Sequence, residues 1–147
     1  MTARCGLCFA RTAGICGALS PDELGELSGL AHTRILEAGQ ALLWEGEEAP
    51  VVANIMAGAM KLTTLSSEGR EQIVGLCHPG DFVGRPFAEQ PGYSAVALGP
   101  VRLCLFGRQD FERFLGDHPS MAVELLQRTL EDLDRARQLM LLLGRGS

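Results

Sequence analysis

Three cysteines near the start of the chain are the residues best suited to chemistry. Cys5 and Cys8 are separated by two residues, and Cys16 follows after seven more. Two thiolates at the shorter spacing can turn back onto one metal centre, and soft thiolate ligands select Zn²⁺ or iron–sulfur centres. The sequence therefore predicts a cysteine-rich, metal-binding loop over residues 1–19.

A fourth ligand must come from far along the chain. The run Val101–Phe106 alternates like a strand and puts Cys104 on the face opposite Leu103, outside the expected core, where the N-terminal loop could lie across it. Cys77 precedes a turn and is expected to be a small buried hydrophobe. Cys104 is the better candidate. One distant ligand favours an iron–sulfur centre, because a structural zinc site usually shows a second close pair of Cys or His.

Other chemistries stay open or are disfavoured by the same sequence. Structural zinc, a thiol-based sensor and unreactive surface thiols remain alternatives for the cysteines. The histidines His32, His78 and His118 are single and far apart, with no H-x-H pair, G-x-S-x-G motif or P-loop in the chain. An enzyme on a barrel of the cupin type is therefore not expected.

Length and composition bound the class of protein. The 147 residues are 46% hydrophobic and 21% charged, which is typical of one globular domain. A net charge of −5 disfavours nucleic-acid binding by these residues themselves. No apolar run approaches the roughly 20 residues needed to span a bilayer, and the N-terminus has no hydrophobic signal region. With five cysteines, an odd number, these features predict a cytoplasmic protein without a membrane partner.

Short apolar runs predict the elements that position the cysteines. The segment Ser20–Glu23 is a capping box with proline at the first helical position, so a short helix is expected there. From Thr33 to Phe106 about eight short strands alternate with glycine-rich turns, which indicates an antiparallel barrel or jelly roll. Trp44 is expected in its core. The predicted sensor domain covers residues 20–116.

A long helix is predicted after this domain. A short helix stopped by Gly116 comes first, and Pro119 then opens a helix that runs to Leu143 within a dimerisation segment, residues 117–144. Its seam has the 4-3-4-3 spacing of a coiled coil, although packing on its own barrel is an alternative. Arg137 lies on this seam, so its two copies would face and repel each other in a parallel dimer unless they are neutralised, for example by Asp134. Dimerisation through the seam is therefore expected to be only marginally stable. The seam positions are Leu126, Leu130, Leu133, Arg137 and Met140.

Together these residues resemble the CRP/FNR superfamily of bacterial transcription regulators, and within it the FNR-type, FnrL-like oxygen sensors. The Pro-Gly-Asp turn is weakly specific, whereas the cysteine set is specific to the FNR type. The matching pieces are Cys5-x2-Cys8-x7-Cys16, the run Ile73–Pro86 with Pro79-Gly80-Asp81, Cys104, and Leu130–Asp134 leading into Met140–Arg145.

The resemblance implies a mainly β fold with flanking helices: a double-stranded β-helix of the cyclic-nucleotide-binding type, then a dimerisation helix. It also implies a [4Fe–4S] cluster held by Cys5, Cys8, Cys16 and Cys104, with Cys77 outside the ligand set. The cluster would favour a homodimer, and oxygen would degrade the cluster and so release the dimer and DNA. A zinc- or thiol-based redox sensor on the same fold is the alternative.

The family continues into a winged helix-turn-helix beyond the point where residues 145–147 end this sequence. We interpret the chain as the sensor and dimerisation part without that module, so DNA and RNA polymerase are expected partners of a full-length parent. The loop Ser66–Glu71 could contact the polymerase. Cyclic nucleotide is not expected, because Arg85 replaces the glutamate that the related nucleotide pocket uses and no arginine follows Pro91 within the loop.

Overall fold

The protein is described here by a computed structural model over residues 19–145, with side chains to residue 143. The predictions for residues 1–18 and 146–147, including those for Cys5, Cys8 and Cys16, lie outside the described residues. Within them the chain forms three helices and eight strands. In chain order these are α1 (Pro21–Leu30), β1 (His32–Leu36), β2 (Ala41–Leu43), β3 (Val51–Ala57), β4 (Met60–Leu65), β5 (Glu71–Cys77), β6 (Phe82–Val83), β7 (Ser94–Ala97), β8 (Val101–Gly107), α2 (Arg108–Asp117) and α3 (Pro119–Arg145).

The strands form two four-stranded antiparallel sheets that face each other. One sheet has the order β1-β8-β3-β6 and carries the helices on its outer face, and the other has the order β2-β7-β4-β5. The predicted mainly β jelly roll with flanking helices is confirmed. The β3–β4 turn depends on Gly58, whose φ is +87°, because a Cβ there would lie 2.3 Å from the backbone oxygen of Pro100.

Buried side chains in the described part form two cores on opposite faces of the β1-β8-β3-β6 sheet. Residues of β3 and β8 alternate between them because successive side chains of a strand point to opposite faces. The inter-sheet core contains Leu36, Leu43, Ala49, Ala53, Ile55, Met60, Cys77, Val83, Ala95, Ala97, Val101 and Leu103. The helix-side core contains Leu19, Leu24, Leu27, Ala31, Val52, Cys104, Phe106, Phe111, Phe114, Leu115 and Met121.

The first two helices cover the helix-side core. The predicted capping box starts α1: Ser20 Oγ accepts from the Glu23 backbone at 3.3 Å, and Glu23 Oε1 accepts from the Ser20 backbone at 2.9 Å. The expectation that Gly116 stops the next helix is wrong, because α2 continues to Asp117 with His118 as its C-cap. Phe114 and Leu115 pack in the helix-side core. Their packing holds the last turn of α2 in place, so the helix continues through Gly116 although glycine has no side chain to stabilise it.

The long helix is confirmed, and it buries side chains against the domain only in its first turns. Met121 is fully buried, and Ala122 and Leu125 pack against the helix-side core. The alternative that this helix packs along its own barrel is wrong beyond that point. The apolar seam positions Leu126, Leu130, Leu133 and Met140 are between 42% and 67% exposed.

Two further features differ from what the sequence suggests. Trp44 is more than half exposed rather than in the core, because it follows β2 directly into a turn. On β5, an edge strand, Ile73, Val74 and Leu76 are also exposed. Among the residues described, no helix combines the length and apolarity needed to cross a membrane.

Candidate metal centre

Cys104 lies in the helix-side core and is only 5% exposed. The prediction that it faces away from Leu103 is confirmed, since Leu103 belongs to the inter-sheet core. The prediction that this face lies outside the core is wrong. Helices α1 and α2 and the first turn of α3 cover the outer face of the sheet, so this face forms a second core that strand alternation alone does not indicate.

Two residues flank Cys104 on neighbouring strands. Asn54 on β3 and Thr33 on β1 are its register partners, and side chains at such paired positions share a face with Cβ atoms about 5 Å apart. Asn54 is fully buried. Its amide can donate a hydrogen bond, which is the kind of group that stabilises a sulfur ligand. Asn54 is not among the residues predicted for this site, although a polar residue inside the apolar run of β3 is a usable signal.

The described chain starts in the core that also contains Cys104. Leu19, its first residue, belongs to the same helix-side core. Cys16 precedes Leu19 by three residues in the sequence. In the part of the chain that the structure describes, no three His, Cys, Asp or Glu side chains form a metal-binding group. Within the described residues, Cys104 is therefore not part of a complete metal-binding group.

Cys77 lies on the other side of the sheet, buried in the inter-sheet core. Burial, together with the smaller effect of the negative charges of Asp81 and Asp132, raises the pKa of its thiol to about 12. This environment disfavours the thiolate. The burial of Cys77 agrees with the expectation that it is a small buried hydrophobe before the turn.

Side chains of α2 hold the β6–β7 loop in place. This loop is where the related nucleotide pocket would lie. Phe87 has a left-handed φ of +67°, and its backbone N–H donates to Glu112. Glu112 also accepts from Arg108 at 2.8 Å, and the buried Arg108 donates to the backbone oxygen of Ala49 at 3.1 Å. Arg85 is exposed in this loop. The loop offers an arginine where a ribose-binding carboxylate would be needed.

Two antiparallel sheets in a jelly roll, with helices on one face and a long helix at the end, are the architecture of a cyclic nucleotide-binding fold. A family model described as "Cyclic nucleotide-binding domain" matches residues 33–118, which is more than half of the chain. The chain belongs to this family, within the CRP/FNR group of transcription regulators.

Individual relatives agree with this assignment. The chain is 39% identical to the transcriptional activator protein FnrL of Cereibacter sphaeroides, over 97% of this chain and 57% of the relative. It is 34% identical to the nitrogen fixation regulation protein FixK of Bradyrhizobium diazoefficiens, over 97% of this chain and 60% of the relative. The solved structure of FixK2 from Bradyrhizobium japonicum superimposes with a TM-score of 0.70 at 30% identity, over 78% of this chain and 58% of that one. The chain thus spans less than two thirds of these relatives.

Proposed function

We propose that this chain is the sensor and dimerisation part of an oxygen-responsive transcription regulator. In this proposal Cys5, Cys8, Cys16 and Cys104 hold an oxygen-labile [4Fe–4S] cluster. The observation that carries the proposal is the burial of Cys104 in the same core as Leu19, where the cysteine-rich segment joins the fold.

The surroundings of Cys104 suit a sulfur ligand of such a cluster. Four thiolates give a [4Fe–4S]²⁺ centre a net charge of about −2, which favours hydrogen-bond donors near sulfur. The buried Asn54, in register with Cys104, can supply one. When bound, the cluster supplies an inorganic centre that oxygen can oxidise and degrade. The residues of the body hold one sulfur in place, and the N-terminal segment supplies the other three.

Ligation also gives the protein a way to couple the cluster to the rest of the fold. Because metal binding contributes folding free energy to the segment that supplies the ligands, loss of the cluster releases residues 1–18 from Cys104. Leu19 leads directly into α1, and both belong to the core that the first turn of α3 closes through Met121. The state of the cluster therefore acts on the base of the long helix.

The homodimer forms through α3 in this proposal. Burying a half-exposed apolar side chain contributes on the order of 1 kcal/mol, whereas bringing two chains together costs about 4–15 kcal/mol. Arg137, for which no ion pair is found among the described residues, adds repulsion within the seam. Because the free energy gained by burying the seam nearly equals the cost of association, a small change at the base of the helix shifts the monomer–dimer equilibrium.

The relatives support the remaining assignments. Their names describe a transcriptional activator and regulators of nitrogen fixation, so we assign DNA and RNA polymerase as partners of the full-length parent in the cytoplasm. The loop Ser66–Glu71 is the proposed polymerase contact. We assign no catalytic activity and no cyclic nucleotide ligand to the chain, and cyclic AMP should accordingly leave its melting temperature unchanged.

Anaerobic reconstitution with iron and sulfide tests the cluster. The wild type and the control Cys77→Ser should turn brown and bind about four iron and four sulfide per chain, and both should dimerise under argon. Cys104→Ser should lose most of the iron and the self-association. A colourless wild type holding one zinc, or one holding no metal, would replace the proposal by the zinc or thiol sensor. Unchanged iron and self-association in Cys104→Ser would remove Cys104 from the ligand set.

A further inference from the structure

One histidine joins the first helix of the protein to the start of the long helix. The Nδ1 of His118 lies 2.9 Å from Oε2 of Glu23, and its Nε2 lies 3.0 Å from Oε2 of Glu26. The two glutamates are on α1, more than ninety residues earlier in the chain. His118 is the C-cap of α2, and its backbone oxygen accepts from Met121 and Ala122 in the first turn of α3.

The chemistry of this contact depends on the charge of the ring. An imidazole can donate from both nitrogens only when it carries its second proton. With a carboxylate oxygen at each nitrogen, the neutral ring leaves one nitrogen lone pair facing an anion. The side chain is 14% exposed and its ring lies 4.1 Å from that of Phe114, so it is held in this position. The contact is complete only in the protonated form.

The same contact continues to the point where the N-terminal segment enters the fold. Glu23, besides facing His118, accepts a hydrogen bond from the backbone of Ser20. The backbone hydrogen bond with Ser20 and then the contact with His118 lower the pKa of the Glu23 carboxyl. Ser20 directly follows Leu19, which lies in the core with Cys104. One chain of polar contacts thus runs from the exit of residues 1–18 to the base of α3.

We propose that Glu23, Glu26 and His118 form a charge clasp that positions α3 against α1 and transmits the state of the N-terminal metal centre to the long helix. The inference rests on the proposed function for the signal that the clasp carries. The clasp itself is a property of described residues, since it rests on the two contacts of the His118 ring with Glu23 and Glu26.

Charges from the neighbouring elements do not substitute for the clasp. Arg113 and Asp117 on α2 line the same cleft as Glu26, but Arg113 is paired with Asp110. The first turn of α3 carries no acidic residue. Within the described residues, His118 is therefore the basic side chain that contacts both glutamates of α1.

Hydrogen exchange of the metal-free protein tests the clasp without any cluster. In the wild type, the clasp should protect α1 and the first turn of α3. His118→Gln and Glu26→Gln should both show lower protection of these two segments. His118→Arg should keep the wild-type protection, because arginine supplies a charged donor at the same position. The control Glu71→Gln removes a carboxylate of similar exposure, 50% against 59%, from a pair at 3.1 Å and should behave as the wild type.

Sedimentation of loaded and metal-free protein then tests transmission. Loading should tighten the wild-type dimer, and His118→Gln should lose roughly 10-fold of that tightening while binding the same amount of iron. If the wild type binds no cluster, the proposed function fails. The hydrogen-exchange data alone then decide whether the clasp exists. Wild-type protection in both His118→Gln and Glu26→Gln would overturn the clasp. Full tightening in His118→Gln would overturn its role in transmission.

Discussion

Leu103 and Cys104 are adjacent on β8, yet their side chains lie in two different cores. Leu103 packs between the two sheets, and Cys104 packs under the helices with Leu19 and Phe111. The strand therefore separates the part of the protein that maintains the jelly roll from the part that meets the N-terminal segment. A change on the helix side can reach α1 and α3 without disturbing the inter-sheet core.

Alanine substitution at these two positions should give unequal effects in the metal-free protein. Leu103→Ala should lower the free energy of unfolding by about 2–5 kcal/mol, because it leaves a cavity in a closed core. Cys104→Ala removes one sulfur atom and should cost about 1 kcal/mol. Urea denaturation measures both. If the two variants lost the same free energy of unfolding, packing alone would explain the burial of Cys104. Its burial would then no longer support a role as a ligand.

Two turn glycines should differ in how well they tolerate a side chain. Gly39 has φ of +85° with open space around it, so Gly39→Ala should cost only the strain of a left-handed residue, about 1–2 kcal/mol. Gly58 has nearly the same φ, but an added Cβ would lie 2.3 Å from the Pro100 oxygen. Gly58→Ala should therefore cost about 3 kcal/mol or more. Equal melting temperatures for the two variants would contradict the close approach at Gly58.

Much of the fold follows from local signals in the sequence. The capping box at Ser20 predicts the start of α1, and turn residues delimit the eight strands to within a few positions. The Pro-Gly-Asp turn is likewise a local unit, since the Asp81 carboxylate accepts from the His78 backbone at 2.8 Å. Signals of this kind succeed because the interacting groups are close in the chain.

Features that depend on which faces are covered were not predictable. Alternation in β8 gives the side of the sheet on which Cys104 lies, but it does not reveal that helices cover that side. Trp44 is apolar by type and nevertheless lies exposed beside a turn. The contacts of His118 with Glu23 and Glu26 join residues more than ninety positions apart. No spacing in the sequence encodes such a contact, because it depends on how α1 packs on α2.

The buried Cys77 thiol should make stability depend on pH on the alkaline side. Its pKa is raised to about 12 in the folded protein, so the folded state keeps a proton that the unfolded state loses above about pH 8.5. The unfolded state then binds fewer protons, and the free energy of unfolding falls as pH rises, by up to about 1.4 kcal/mol per pH unit. Urea denaturation at pH 8 to pH 10 measures this slope.

The variant Cys77→Ala provides the control for this slope. Burial also raises the pKa of Tyr93, which contributes a slope of the same sign in both proteins at higher pH. The difference between wild type and variant isolates the thiol. The same raised pKa predicts slow alkylation of Cys77 at pH 8 until urea unfolds the protein. Parallel slopes in the two proteins, or rapid alkylation in native buffer, would show that Cys77 is accessible as a thiolate.

The exposed seam of α3 should govern self-association and contribute little to the stability of one chain. Leu133→Gln removes an apolar group from the seam, whereas Glu131→Gln places the same side chain on the opposite side of the helix. Both residues are exposed, so both variants should unfold within about 0.5 kcal/mol of the wild type. Under argon, sedimentation of the loaded protein should show a monomer for Leu133→Gln and a dimer for Glu131→Gln.

Replacing Arg137 should change dimerisation in the opposite direction from replacing Leu133. If two facing arginines oppose association, Arg137→Leu should tighten the dimer and make it less dependent on the metal centre, because the apolar seam then outweighs the cost of association on its own. Metal-free Arg137→Leu should accordingly dimerise where the metal-free wild type does not. A monomeric Arg137→Leu alongside an unaffected Leu133→Gln would move the interface away from α3, since neither removing nor adding an apolar side chain on the seam would then alter association.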